Sequence, residues 1–293
     1  MSHEIDHSRW YVKKAARKAL ATSAWASGYL AARDRAAAEP RVRVLTYHRF
    51  GDSPYDPFCV SRCDFEEQMR FLADEELAVS LYELEEFLRG QRDLRDGSVL
   101  VTTDDGYRSV YTDMLPVLVE YGIPAVAFVT AGLIDGQPRP TPWRGPPLDP
   151  QDVYLNWDEL NRLAENHVVI GSHGWTHRSL GELSPQECRQ EALRSRETLQ
   201  QHLGRAVTSI AYPYGTQADF SAATGQILSE SGYTTAFTSQ HGAIVRGAEA
   251  VSLPRVKVEG GEALWMFRLI CRGAMDPWRL VDGSLSRLQR SGR

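Results

Sequence analysis

Two adjacent carboxylates, Asp104 and Asp105, and two histidines four positions apart, His173 and His177, are the side chains of this 293-residue sequence best suited to do chemistry together. Two neutral imidazoles and one carboxylate form a facial three-ligand set for zinc, with cobalt or nickel as alternatives, and leave positions open for water and substrate. Asp105, His173 and His177 can supply that set. A metal so held makes water more acidic and polarises a carbonyl oxygen. The remaining carboxylate, Asp104, can then accept the water's proton as general base. Neighbouring side chains leaving a strand point different ways, so one aspartate can bind metal while the other faces substrate. Read singly, each motif is weak. Asp104-Asp105-Gly106 and Pro213-Tyr214-Gly215 are also ordinary turn sequences, and two histidines at this spacing are often unrelated.

For these groups to meet, separate segments must reach one rim. After a polar bridge at 34–41 the sequence alternates short β-type runs with helical segments, which argues for a parallel α/β architecture. Strands are expected at 42–47, 77–81, 98–103, 124–130, 168–172, 207–212, 234–238 and 251–258. Most are the short apolar runs of buried parallel strands. In a parallel barrel the reacting groups gather where strands end. Tyr47-His48, Asp104-Asp105, His173 to His177 and Pro213-Tyr214-Gly215 each follow an expected strand, so all four face that rim. Ser184-Pro185-Gln186-Glu187 offers an N-cap, a first-turn proline and a capping-box Glu for a helix running to Gly204. Gly122 ahead of Pro124 ends another helix, a third begins near Asn156-Trp157, and Asp64 reads as a helix-start residue before Phe65. Residues 136–150 hold six prolines and two glycines, the composition of an irregular surface loop that borders a site.

Bulk composition sets the class. With 42% hydrophobic and 24% charged residues the chain has ample core material. A formal net charge of −5 gives no overall attraction to phosphate backbones and argues against a nucleic-acid partner, although a local basic patch could still matter. Cys59, Cys63, Cys188 and Cys271 are too sparse for a disulfide scaffold and read as thiols, which favours a reducing compartment. No apolar run is long enough to cross a membrane. At the N-terminus, Lys13, Lys14, Arg17 and Lys18 precede an Ala-rich stretch at 19–32. That order is compatible with a cleaved signal. The preferred reading is a helix with a basic face and Trp10, Trp25, Tyr29 and Leu30 around it, either lying on an anionic membrane or docked on the protein's own domain.

The ordered motifs resemble the polysaccharide deacetylase family, the NodB-homology or carbohydrate esterase family 4 group. Thr102-Thr103-Asp104-Asp105-Gly106 resembles its first motif, Gly171 to His177 its His-x-x-x-His motif, and Ala211-Tyr212-Pro213-Tyr214-Gly215 its third. Leu45-Thr46-Tyr47-His48, the Trp157-Asp158 helix start and Leu253-Pro254-Arg255-Val256 look like the branch acting on poly-N-acetylglucosamine and related exopolysaccharides. The resemblance spans roughly 42–258. It implies a distorted (β/α)7 barrel, here with an N-terminal helical extension, and an N-acetylated glycan as substrate. It also implies Asp104 as base, Asp105, His173 and His177 as metal ligands, and the Tyr214 N–H as an oxyanion donor, with the Tyr214 side chain and Pro213 lining the pocket.

Two positions depart from the family pattern. Ala211 stands where many members carry an Arg that holds the catalytic aspartate, and Arg255 from the final strand is the candidate replacement. The usual general-acid His near the C-terminal end has no counterpart. His241 reads as a solvent-exposed loop residue, so His48 is assigned to the site instead. Trp175, between the two histidines, and Trp157 are candidates to stack on a sugar ring, with packing the alternative. His167, His202 and Asp113 read as structural. The expected division is an extension at 1–40, a barrel domain at 41–260 and a helical tail at 261–293. The leading function is metal-dependent N-deacetylation of a polysaccharide, oligosaccharide or lipid-linked glycan. The alternatives are hydrolysis of a non-sugar amide or imide, or glycan binding without turnover. The expected location is the cytoplasm or the inner membrane face, with export as the alternative; oligomeric state is left open.

Overall fold

The computed structural model describes residues 7–36, 39–53, 56–136 and 153–284. Along the chain run β1 (Arg43–Tyr47), the short β2 (Arg49–Phe50) and β3 (Cys59–Val60), β4 (Val99–Thr103), β5 (Ala125–Val129), β6 (Val168–Ser172), β7 (Ser209–Ala211), β8 (Thr235–Phe237) and β9 (Val256–Lys257). The helices are α1 (His7–Ala26) and α2 (Tyr29–Ala36) ahead of β1, α3 (Arg62–Asp74), α4 (Leu81–Leu88), α5 (Leu115–Tyr121), α6 (Trp157–Glu165), α7 (Pro185–Leu203) and α8 (Ala222–Glu230) between strands, and α9 (Leu264–Cys271) and α10 (Arg279–Ser284) after β9.

β2 and β3 pair by themselves; the other strands form one parallel sheet in the order β8-β7-β6-β5-β4-β1-β9. β1, β4 and β5 are buried along their whole length, as strands covered on both faces must be. Alternate residues face opposite ways. Val44, Leu100, Val126, Phe128 and Phe237 share an inner cluster, while Leu45, Tyr47, Val101, Ala127 and Ile170 join the outer core beneath the helices. The sheet curls until its edges meet through the segment entering β9. Phe237 bridges Leu253, with Leu253 N donating to Ala236 O at 2.9 Å and Thr238 N to Leu253 O at 2.8 Å. Leu45 and Thr46 of β1 then pair with Val256 and Lys257. This is a distorted (β/α)7 barrel, as the resemblance implied. Arg255 sits on the closing segment.

The expected strand at 77–81 is reduced to a bridge between Ala78 and Val99. Ser80 instead caps α4 and closes a capping box with Glu83, which ends the extended run. Leu84 and Phe87 of α4 join the inner cluster and plug the end of the barrel where the strands begin. Ser184 caps α7 and left-handed Gly204 ends it; Asn156 caps α6; Gly122 ends α5. The cap of α3 is Ser61 rather than Asp64, which sits in the first turn and donates its N–H to the Ser61 hydroxyl at 3.0 Å. All four cysteines are free thiols. Residues 137–150 of the expected loop lie outside the described residues.

The structure docks α1 on the barrel. Arg17 Nε donates to Glu262 Oε1 at 2.8 Å, Arg17 Nη2 donates to Lys257 O at 2.8 Å, and Lys13 pairs with Glu259 at 2.8 Å. Ala21, Ala24 and Leu30 are buried in the outer core, whereas Tyr11, Val12, Trp25 and Tyr29 are exposed. The basic run is thus largely engaged by Glu259 and Glu262. Among the described residues no helix is long and apolar enough to cross a membrane.

Candidate active site

At the rim where β4 ends, Asp104 N still donates to Tyr47 O at 3.0 Å, so the ladder continues one residue beyond the strand. Alternation then places Thr102 and Asp104 on the same, inner side. Asp105 turns back with φ 73° and Gly106 with φ 85°, closed by Gly106 N donating to Asp104 O at 3.0 Å. The two carboxylates are split by that turn. A Cβ on Gly106 would stand 3.2 Å from the Val129 side chain.

Asp104 meets Arg255. Nη1 and Nη2 donate to Oδ1 and Oδ2, both at 2.7 Å, a bidentate geometry that fixes the carboxylate plane. Arg255 is itself held by Nε donating to Thr238 O at 2.9 Å and is 1% exposed. Burial alone would raise the Asp104 pKa; Arg255 and His173 outweigh it and hold the carboxyl below its ordinary value. Asp104 is therefore charged at neutral pH.

Asp105 meets the histidines. Its Oδ1 lies 3.3 Å from His173 Nε2 and 3.1 Å from His177 Nε2. His173 leaves β6 with its N–H donating to Val129 O at 2.8 Å, and its Nδ1 lies 2.9 Å from Ala211 O, which fixes Nδ1 as the protonated nitrogen and turns Nε2 toward Asp105. Burial opposes the charged Asp105, but His173 and His177 hold its pKa well below the usual carboxylate range. The three ligand atoms lie within 4.8 Å of one another. Two imidazole nitrogens and one carboxylate oxygen, with an oriented tautomer at His173, fit a divalent metal.

The loop between the histidines is fixed by a residue the sequence reading did not single out. Glu191 of α7 accepts from Trp175 N and Thr176 N, both at 2.9 Å, and from Thr176 Oγ1 at 2.6 Å. It lies on the buried stripe of α7 with Cys188, Ala192, Ser195 and Leu199. A carboxylate on that apolar stripe was the available signal. His177 and Tyr214 both adopt left-handed backbone, φ 57° and 63°. With Asp105 they make three non-glycine residues of this kind at one site, where strain commonly gathers. The Tyr214 ring packs edge-on against His177 at 4.8 Å. Pro213 packs beneath Gly174.

His48 follows β1, its ring 4.8 Å from that of Phe58. Its buried Nδ1 has no hydrogen-bond partner among the described residues. Burial depresses its pKa to about 4 against the pull of Asp105 and Asp104, so the imidazole is neutral at neutral pH. The two tryptophans have packing partners. Arg194 stacks over Trp175 at 4.0 Å, and Trp157 lies flat on His202 at 3.6 Å. His241, expected in solvent, is buried: Asp282 Oδ2 lies 2.9 Å from its Nδ1 and accepts from its backbone N–H at 2.8 Å. α10 covers the loop, a tertiary contact that no local pattern announced.

The family model for polysaccharide deacetylase matches residues 91–236. YxkH of Bacillus subtilis (strain 168), described as a polysaccharide deacetylase, is 26% identical over 222 residues, 75% of this chain and 72% of its own. The poly-β-1,6-N-acetyl-D-glucosamine N-deacetylase of Escherichia coli (strain K12) is 24% identical over 217 residues, 64% of this chain but 32% of that protein. Among solved structures, IcaB from Ammonifex degensii superposes with a TM-score of 0.64 at 26% identity, over 80% of this chain and 97% of that one.

Proposed function

From the match to the polysaccharide deacetylase family over residues 91–236 and the likeness to YxkH over 75% of this chain, we propose that it hydrolyses the N-acetyl groups of a glycan built from N-acetylglucosamine, releasing acetate and a free amine. The observation that carries this reading is the pairing of two unequal carboxylates at one rim: Asp104 locked by Arg255, and Asp105 against His173 and His177. The poly-N-acetylglucosamine activity printed for the Escherichia coli relative supports that substrate class.

Asp105, His173 and His177 would hold a divalent ion, zinc by ligand type, with cobalt and nickel compatible. When bound, it supplies Lewis-acid polarisation of the amide carbonyl and a more acidic water. Asp104, charged and oriented by Arg255, accepts a proton from the attacking water. The Tyr214 N–H, on its left-handed turn, is the oxyanion donor. His48 lines the site and is the group assigned to protonate the departing amine. Burial outweighs the pull of Asp105 and Asp104 and keeps its imidazole neutral, so the proton it passes to the amine is the one Asp104 has taken from the attacking water.

Acetate release from β-1,6-linked N-acetylglucosamine oligomers, before and after treatment with a chelator, tests this function. Release that stops with the chelator and returns with zinc, cobalt or nickel is the expected result. Metal-loaded protein that releases no acetate from these oligomers, but cleaves a non-sugar amide or imide, would replace the proposal.

A further inference from the structure

Away from the catalytic rim, where β1 and β4 begin, lies a cavity of about 430 Å³ lined by Arg33, Arg43, Arg95, Arg268 and Arg272, with Asp34, Glu75 and Asp96 among them and Phe71, Leu77 and Leu269 as its apolar part. Some of these arginines are occupied. Arg43 Nε and Nη2 donate to Asp276 at 3.2 and 2.7 Å, and Arg33 Nη1 reaches the same carboxylate at 3.1 Å. Arg33, Arg41 and Arg272 share Asp34. Two others are not. Arg95 donates to the Glu75 carbonyl at 2.8 Å, and Arg268 stands 5.0 Å over the Phe71 ring; neither has a carboxylate ion-pair partner among the described residues. Arginine therefore outnumbers carboxylate on this wall, in a chain whose net charge is −5.

We propose that this cavity binds a phosphate group. Guanidinium forks match phosphate oxygens in pairs and are less strongly hydrated than ammonium, which suits them to a half-enclosed wall. Arg33 and Arg43, fixed by Asp276, form the rigid side; Arg95 and Arg268, ion-paired to no carboxylate among the described residues, are the guanidinium groups that can turn to an anion, beside Glu75 and Asp96 on the same wall. The apolar part accommodates whatever carbon skeleton carries the phosphate. On α9, Trp265 is 47% exposed one turn before Arg268, and on α2, Tyr29 is 44% exposed one turn before Arg33. Exposed rings on the two helices that carry Arg268 and Arg33 suit contact with a phospholipid surface, and a soluble phosphate ester presents the same oxygens.

The test is titration of the full chain with inorganic phosphate at low ionic strength, followed by calorimetry. Alongside run the Arg95→Gln/Arg268→Gln variant, its Arg95→Lys/Arg268→Lys counterpart and a charge control, Lys18→Gln. Saturable binding by the wild type and the control, weakened roughly tenfold or more in the double glutamine variant and partly restored by lysine, is the expected result. Absence of saturable binding, or equal affinity in the glutamine variant with its circular dichroism intact, overturns the site; phosphate held at the catalytic rim would give the second outcome. Pelleting with phosphatidylglycerol vesicles but not phosphatidylcholine vesicles, lost in the glutamine variant, identifies a headgroup as the source. Phosphate binding without pelleting identifies a soluble ester. The readout is binding, so it stands or falls separately from deacetylation.

Discussion

Arg255 is the residue on which the asymmetry of the two aspartates rests. Removing it leaves Asp104 buried without its bidentate partner, and desolvation then raises the carboxyl pKa. The sign follows directly. In the wild type Asp104 is ionised down into the acid range. In Arg255→Gln the acidic limb of kcat against pH should move upward by about one unit or more. A pH profile shows this, and an unmoved limb would remove Arg255 from its assigned role. His48→Ala should lower kcat by about 10²–10⁴-fold, the usual contribution of a proton-transfer group, while metal content stays at the wild-type level; atomic absorption and initial rates read the two effects separately. The cluster of Asp105, His173 and His177 was legible in sequence because residue types in that order are chemically restrictive. Glu191 was marked only by its place on the apolar stripe of α7, and what it holds there depends on where α7 packs. His241 was misjudged for the same reason: its partner Asp282 lies 41 residues away in sequence.

At the scale of elements, the docking of α1 depends on charge buried against charge. Breaking Arg17–Glu262 by Arg17→Met should cost about 3–5 kcal/mol, because it leaves a buried carboxylate without its partner. Chemical denaturation measures that loss, and a change within about 0.5 kcal/mol, the usual range of a surface substitution, would mean the helix contributes little. Burial would raise the Glu259 pKa, but Arg17, Lys13 and Lys257 lower it further below its ordinary value. Its contribution to stability is therefore complete above the ordinary glutamate pKa and disappears as pH falls through the lower folded value. Hydrogen exchange in α1 should rise first on acidification. Helix ends were readable in sequence where capping chemistry is local, as at Ser184 with Glu187 and at Gly122. The run at 77–81 looked like a strand because its apolar pattern is the same whether it enters a sheet or leads into a capped helix. Ser80 with Glu83 decided between them.

At the scale of the molecule, barrel closure brings together residues far apart in the chain. Leu253 bridges β8, Val256 joins β1, and Arg255 between them reaches Asp104. The alternation of strands and helices announced the parallel barrel, yet closure through 253–257 is a product of sheet curvature that no local pattern specifies. A site assembled from four strand ends should couple metal to folding. Saturating zinc should raise the melting temperature of the wild type by binding only the native state, and should leave Asp105→Ala unmoved. The most direct test of the two-carboxylate account measures bound metal and acetate release on the same samples of wild type, Asp104→Asn and Asp105→Ala. The account predicts full metal occupancy with acetate release lowered by about 10²–10⁴-fold in Asp104→Asn, and loss of both metal and turnover in Asp105→Ala. Wild-type metal occupancy in Asp105→Ala, or undiminished turnover in Asp104→Asn, would contradict it.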